Sequence, residues 1–390
     1  MKIMSTVVVG LNAALQKRLV LPEAAGHLVP GHVHRIAQVQ MGVGGKGQDV
    51  ALALSCLQHS DTRLLQFLGR GGAGDAVQAQ LQQRGYPAQD CLTIRTAAPL
   101  RVCTSVVGAE STTELVEPSG AVTASEVQAL CNGLDQVFGQ QEDSTTCAAL
   151  ACMGSLPPDC PTNIYAQIFA KLNHPDMLTI VDSLVGLEAL LDAAAAMNAP
   201  SKVVLKVNVD ELCGLVKYKT DQTNNDDNDA RVQGALQSFF AQFPQATTAL
   251  HAVALTNGPR PAYVAMTADK SSSSYTLVKV PVPVLTDTTT LFPIGAGDAV
   301  AAGTLAAWQV LEQQQSSAFR NNNDDNPAWV PVVQERHAQM ASSPLVTAFH
   351  FGLACGSASC LQQENSVLDI ADVTALWQGT AAPMEMAPKV

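Results

Sequence analysis

Gly295-Ala296-Gly297-Asp298 stands directly before an Ala-rich stretch that runs to about Leu311. Small residues let the chain turn tightly and leave backbone N–H groups at a helix start pointing outward. Those donors, with the positive end of the helix dipole, make a place for a phosphate or a developing oxyanion. Asp298 then falls in the first helical turn, beside the anion. A carboxylate there is a poor anion binder but a good base for an attacking hydroxyl. The same Gly-Asp pair also serves as an ordinary N-terminal helix cap.

Gly42-Val43-Gly44-Gly45-Lys46-Gly47 is a second cluster, again followed by a helical pattern. It matches G-x-G-x-x-G literally, as does Gly69-Arg70-Gly71-Gly72-Ala73-Gly74. Neither sits in a dinucleotide context. The first follows a β-stretch with no helix before it, and the acid downstream of it, Asp61, comes too early for a ribose contact. Nor is it a P-loop, because Gly47 stands where Ser or Thr is required. Bare glycine backbone approaching a hydroxyl-rich ligand, with Lys46 adding a cation, fits better; a glycine turn with a solvated lysine is the plainer reading.

Two further sites lie where strands end. In Lys206-Val207-Asn208-Val209-Asp210-Glu211-Leu212, Asn208 and Glu211 share one side of a helix start and can reach a metal or its waters. They equally form an N-cap and its capping-box partner. Ala254-Leu255-Thr256-Asn257-Gly258 closes a strand with a tight turn, a common nucleotide position in parallel sheets.

The elements that must position these residues alternate. Thr6–Leu11, Leu64–Leu68, Ala148–Met153, Leu178–Asp182, Val203–Val207 and Val253–Thr256 read as strands. Between them Gly47–Gln58, Gly74–Arg84, Pro161–Leu172, Leu187–Met197 and Arg231–Phe243 read as helices. This rhythm predicts an α/β protein with a mostly parallel sheet covered on both faces. His32–Met41 and Arg101–Val116 break it as amphipathic strands, and with Lys17–Leu21 they predict a small antiparallel sheet standing off the main body. Lys219–Asp229 and Gln313–Asn326 are polar and low in complexity, and are expected to be solvated insertions.

Composition narrows the class. Of 390 residues, 47% are hydrophobic and 14% charged, enough for a large core. Net charge is 22 − 34 = −12, which disfavours nucleic acid and anionic membrane but not an anionic substrate held by local cations. The apolar run Thr6–Leu11 begins at once and is too short to span a membrane, so neither a leader nor an anchor is expected. Ten cysteines without Cys-x-x-Cys spacing are expected to be reduced thiols in a cytoplasmic protein.

In order along the chain, these elements resemble the PfkB (ribokinase-like) carbohydrate kinases, from Leu11-Asn12 to about Cys360. The resemblance is nearest to the 1-phosphofructokinase and tagatose-6-phosphate kinase branch. It rests on Gly44-Gly45-Lys46-Gly47, Arg101 leading a lid strand, Thr112 to Pro118, Gly154-Ser155-Leu156-Pro157-Pro158 and Lys206, Asn208 and Glu211. It implies one three-layer α/β/α kinase domain over 1–390, with β-lid segments near 12–41 and 100–118 that also suit a homodimer. It implies Asp298 as base, Gly295, Ala296 and Gly297 as anion hole, and Asn208 and Glu211 organising Mg²⁺. Lys46, Arg101 and Ser155 would receive a substrate phosphate; Asn12, Gln16, Gly44, Gly45 and Asp49 would meet the sugar. Lys206, Asn208, Thr256, Gly258, His350 and Ser357 would border ATP, and a monovalent cation such as K⁺ stays open. Gln16 replaces the family's usual Asp and Asp49 its usual Asn. Alternatives are a kinase of an unphosphorylated sugar or nucleoside, a non-catalytic sensing relative, and an oxidoreductase using Gly42–Gly47.

Overall fold

The computed structural model describes residues 4–22, 26–59, 61–86, 90–109, 111–138, 146–197, 202–219, 228–267, 275–286, 291–315 and 326–386. Strand β1 (Met4–Gly10) opens a large sheet, and β2 (Ala14–Val20) and β3 (Gln38–Gly44) leave it to start a small one. Helix α1 (Lys46–Cys56) returns the chain to β4 (Thr62–Arg70), and α2 (Gly72–Gln83) to β5 (Cys91–Pro99). Strands β6 (Val102–Val107) and β7 (Thr112–Val116) complete the small sheet. The alternation resumes with α3 (Ala124–Phe138), β8 (Thr146–Met153), α4 (Ile164–Leu172), β9 (Leu178–Asp182), α5 (Leu187–Ala195) and β10 (Lys202–Asn208). Helices α6 (Val209–Leu215), α7 (Asn228–Gln242) and α8 (Ala246–Ala249) lead to β11 (Ala252–Thr256), β12 (Ala262–Thr267) and β13 (Tyr275–Val280). The last elements are α9 (Ala296–Gln315), α10 (Trp329–Gln339), α11 (Pro344–Ser359), α12 (Ile370–Gln378) and β14 (Met384–Glu385).

The large sheet runs β14-β13-β12-β11-β10-β9-β8-β1-β4-β5. It is parallel from β11 to β5 and antiparallel from β11 to β14. Strand alternation divides its side chains between two cores. Val8, Leu64, Ala151 and Ile180 pack with residues of α1, α9 and α11, while Val7, Val9, Leu65 and Leu150 pack with α4, α5 and α7. Because both faces are covered, the central strands read as nearly continuous apolar runs. The result is the three-layer α/β/α arrangement.

The small sheet has the order β3-β2-β6-β7 and is mixed, which corrects the antiparallel expectation. β2 and β6 pair in parallel, Leu15 opposite Val102 and Val20 opposite Val107. Both leave the carboxyl ends of parallel large-sheet strands, β1 and β5, so they must run the same way. The expected strand His32–Met41 begins only at Gln38 and continues to Gly44, and Arg101–Val116 divides into two strands.

Neither polar insertion has the expected limits. Residues 220–227 and 316–325 lie outside the described residues, but Asn228 and Asp229 open α7 and Gln313 to Gln315 close α9. No helix among the described residues is long and apolar enough to cross a membrane.

Candidate active site

The carboxyl ends of β1, β8, β9 and β10 converge below the small sheet, where an open α/β sheet ordinarily places its ligand. A cleft of about 750 Å³ lies there. Its walls bring together Asn12, Gln16, Gly45, Lys46, Asp49, Arg101, Ser155, Glu211, Gly295 and Asp298 from distant parts of the chain.

Glycine makes the first wall possible. A Cβ on Gly47 would stand 2.3 Å from Gly10 Cα, so only a bare backbone lets α1 start against the end of β1. This close approach, together with the membership of β3 in the small sheet, argues against the dinucleotide reading of Gly42–Gly47. Lys46, the first residue of α1, reaches across the cleft: its Nζ lies 2.6 Å from Asp182 Oδ1 and 3.5 Å from Glu211 Oε1. Burial works against its charge, but Asp182, Asp298 and Glu211 outweigh burial and raise its pKa.

Asp182 ends β9 and was not singled out in the sequence. Its second oxygen accepts from Lys206 Nζ at 2.6 Å, and both residues are almost wholly buried. Burial would raise the Asp182 pKa; the two lysines reverse this and lower it. Lys206 is thus held in an internal ion pair with Asp182. A Cβ placed on Gly297 would lie 3.6 Å from its Nζ, so the pair also underlies the glycine turn.

That turn is formed as expected. Gly295 has φ 87°, open to glycine at little cost, and α9 begins at Ala296 with Asp298 buried in its first turn. Ala296 N–H donates to Pro293 O and Asp298 N–H to Gly295 O, both at 3.1 Å. Ala296 is thereby removed from the expected anion hole, leaving the N–H groups of Gly295 and Gly297. Burial and the nearby Asp182 push the Asp298 pKa up to about 7, against the pull of Lys46 and Lys206.

Asn208 and Glu211 realise the capping box in full. Glu211 N–H donates to Asn208 Oδ1 at 2.7 Å, and Asn208 N–H to Glu211 Oε2 at 2.8 Å. The Asn208 carbonyl oxygen atom of the side chain is thus engaged at the helix start. Glu211 Oε1 still faces Lys46 and the cleft. No cluster of three or more His, Cys, Asp or Glu among the described residues forms a self-sufficient metal site. One or two carboxylates completed by phosphate oxygens and water is the donor set Mg²⁺ ordinarily takes, so Glu211 fits it.

At the lid end, Asn12 Nδ2 donates to Ser155 Oγ at 2.9 Å and accepts on Oδ1 from Ser119 Oγ at 2.8 Å. Arg101 Nη2 donates to Asn12 O at 3.0 Å. Ser119 is a second residue that sequence reasoning missed; it lies just beyond β7, one residue past the Thr112–Pro118 stretch. Gln16 Nε2 donates to Ser105 Oγ on β6, and Gly44 pairs in register with Ala14 beside it.

The residues assigned to the nucleotide are dispersed. Thr256 and Gly258 close β11, outside the cleft lining, and Ser357 is buried in α11. His350 is a correction. Its ring is wholly buried, edge-on to Trp377 at 6.0 Å between centroids, and burial drives its pKa down to about 3. It packs the core and presents nothing to a ligand.

A model of the pfkB family of carbohydrate kinases matches residues 20–367. Among curated proteins, tagatose-6-phosphate kinase of Staphylococcus epidermidis is 28% identical over 188 residues, 48% of this chain and 56% of that protein. The chain thus spans little more than half the length of the curated relatives it matches. Among solved structures, phosphofructokinase-2 of Escherichia coli in complex with potassium superposes with a TM-score of 0.66 at 19% identity, over 96% of this chain and 99% of the other. Ribokinase of Thermotoga maritima does so with a TM-score of 0.61 at 14% identity, over 96% and 100%.

Proposed function

The chain belongs to the pfkB family of carbohydrate kinases, and from that premise we propose that it transfers the γ-phosphoryl group of ATP to a hydroxyl of a sugar phosphate. The acceptor is of the fructose 1-phosphate, fructose 6-phosphate or tagatose 6-phosphate type. The observation that carries this reading is the placing of Asp298 in the first turn of α9, on the floor of the cleft, between a glycine turn and the Lys46 ammonium.

The acceptor hydroxyl would give its proton to Asp298, whose raised pKa suits a base working near neutrality. Charge developing on the transferred group would meet the N–H groups of Gly295 and Gly297 at the positive end of α9. Lys46, held in place by Asp182, adds a cation on the same side. Mg²⁺, held by Glu211 with phosphate oxygens and water, would neutralise the nucleotide phosphates. Thr256, Gly258 and Ser357 are assigned to the ATP side by family resemblance. Arg101 and Ser155 would take the substrate phosphate, with Asn12 fixed between them. This suits a strongly anionic protein, because cations gathered in one cleft can hold a dianion against the overall field.

The lid supports self-association. Val39, Met41 and Leu115 are exposed on one face of the small sheet. Sedimentation of the protein and of Met41→Glu would test a lid-mediated homodimer. The reaction itself is tested by ATP consumption with fructose 1-phosphate, fructose 6-phosphate, tagatose 6-phosphate, fructose, ribose and adenosine as acceptors. Turnover confined to unphosphorylated acceptors would replace the sugar-phosphate reading, and none with any acceptor would favour a sensing role.

A further inference from the structure

Arg18 is a buried charge that lies outside the cleft lining and that the proposed reaction leaves unused. It belongs to β2 of the small sheet, and its two side-chain contacts both lead to the catalytic turn. Its Nη2 donates to Asn365 Oδ1, and its guanidinium lies over the Phe292 ring at 5.1 Å from the centroid. Phe292 stands three residues before Gly295, and its N–H donates to Cys360 O at 2.8 Å. Asn365 is followed by Ser366, whose Oγ donates to Gly295 O at 2.9 Å.

The chain between α11 and α12 joins these contacts. Four successive residues each hold a different element. Gln363 Oε1 accepts from Gln40 Nε2 on β3, and Glu364 pairs with Arg84 at the end of α2. Asn365 accepts from Arg18 on β2, and Ser366 reaches the glycine turn. The packing is direct: a Cβ on Gly295 would stand 2.6 Å from Ser366 Oγ and 3.0 Å from its backbone nitrogen. Ser366 is itself wholly buried at φ 54°, the left-handed region that a β-carbon makes costly. Its Oγ fixes the peptide plane that follows Gly295. That plane lies between the two N–H groups assigned to the developing charge, so its tilt sets how they point.

We propose that Arg18 and Ser366 are positioning residues at the two ends of one strut, residues 363–366. Seating of the small sheet over the cleft is carried through the strut to the glycine turn, and aims the N–H groups of Gly295 and Gly297 at the transferred group. The inference rests on the reading of that turn as the anion hole of a kinase. Four residues span at most about 14 Å, so none of the four contacts can shift far without pulling on the others. The Arg84–Glu364 pair is largely exposed and contributes little, which leaves the buried contacts of Asn365 and Ser366 to carry the coupling. An acceptor that seats the lid thereby completes the charge-stabilising groups.

The test is a double-mutant cycle of Arg18→Met, at the lid end, and Ser366→Ala, at the turn end. With kcat counted per folded molecule, each single variant is expected to lose about tenfold in kcat and to keep both KM values within about twofold. Aiming the N–H groups acts on the transition state and not on ground-state binding, hence that split. The double variant should be no slower than the slower single one, because severing either end frees the turn. Losses of kcat that multiply, or a KM that rises while kcat holds, would overturn the proposal. Gln40→Leu cuts the strut at an exposed lid position and serves if Arg18→Met does not fold; about a threefold loss of kcat is expected, and an unchanged kcat would overturn the proposal. Amide exchange in the same variants needs no substrate. Residues 294–299 should exchange faster than in the unmutated protein, and unchanged exchange there would overturn the proposal whatever reaction the site performs. Faster exchange, in a protein whose unmutated form phosphorylates no acceptor, would support the strut and sink only the kinase reading.

Discussion

Lys46 Nζ, at the start of α1, lies 2.6 Å from Asp182 Oδ1, at the end of β9. The other Asp182 oxygen binds the buried Lys206 at the same distance, so one carboxylate holds two ammonium groups beneath the catalytic turn. Removing one partner of a buried pair leaves an uncompensated charge. Asp182→Asn is expected to destabilise the protein by about 3 kcal/mol in urea denaturation. It should also lower the Asp298 pKa, because a neighbouring negative charge disappears and two positive ones are released. The acid limb of kcat/KM should then move below that of the unmutated enzyme. An unmoved limb would separate Asp182 from the catalytic electrostatics.

Asp298 gives the second expectation. As a base it must be ionised, and burial with Asp182 places its pKa near 7 in the free protein. kcat/KM should therefore be level above about pH 7 and fall about tenfold per unit below it. Asp298→Asn should keep the fold while lowering kcat by about 10²–10⁴-fold. Near-normal turnover in a folded Asp298→Asn protein would remove the assignment.

The part of this site visible in the sequence was the part carried by contiguous residues. Glycine turns followed by helices announce themselves locally, so Gly295–Asp298 and Gly44–Gly47 were found together with the elements that hold them. Asp182 was not, because its meaning lies in two lysines 136 and 24 residues away, and nothing around it in the chain marks that meeting. His350 failed for a different reason. Helix α11 is buried around nearly its whole circumference, so periodicity does not reveal which face looks toward a ligand. Parallel pairing of β2 with β6 was likewise invisible, since it follows from where each strand leaves the large sheet. Polar composition, finally, concealed the first turn of α7.

That turn bears on stability. Asp229 Oδ1 accepts from Tyr263 Oη at 2.5 Å, and both its oxygens lie 2.9 Å from Lys279 Nζ, tying α7 to β12 and β13. Asp229→Ala is expected to cost about 1–3 kcal/mol, the usual penalty for stranding partly buried donors. Thermal denaturation of Asp229→Ala beside the unmutated protein checks this, and an unchanged midpoint would contradict it.

Glu211 carries two duties that can be separated. One oxygen completes the capping box and the other faces Lys46 and the cleft. Glu211→Gln can retain the accepting oxygen of the cap but not the charge. The Mg²⁺ concentration needed for half-maximal rate should therefore rise more than the sugar KM does. An equal loss of rate at every Mg²⁺ concentration would assign Glu211 to the cap alone.

Arg101 decides between a phosphorylated and a free sugar. One edge of its guanidinium is spent on the backbone, Nη2 on Asn12 O at 3.0 Å and Nε on Ala13 O at 3.4 Å. Those contacts orient the fork along the cleft wall, next to Asn12 and Ser155. A dianion arriving there would exchange water for charge-assisted hydrogen bonds worth about 1.5–3 kcal/mol. Arg101→Ala should accordingly raise KM by an order of magnitude or more for a phosphorylated acceptor. For the unphosphorylated analogue the same substitution removes no dianion contact and should change KM little. The difference between the two acceptors should shrink as salt is added, since a partly exposed cation is screened. Equal damage to both acceptors would mean that Arg101 only holds the Asn12–Ala13 turn, and the sugar-phosphate reading would lose its principal cation.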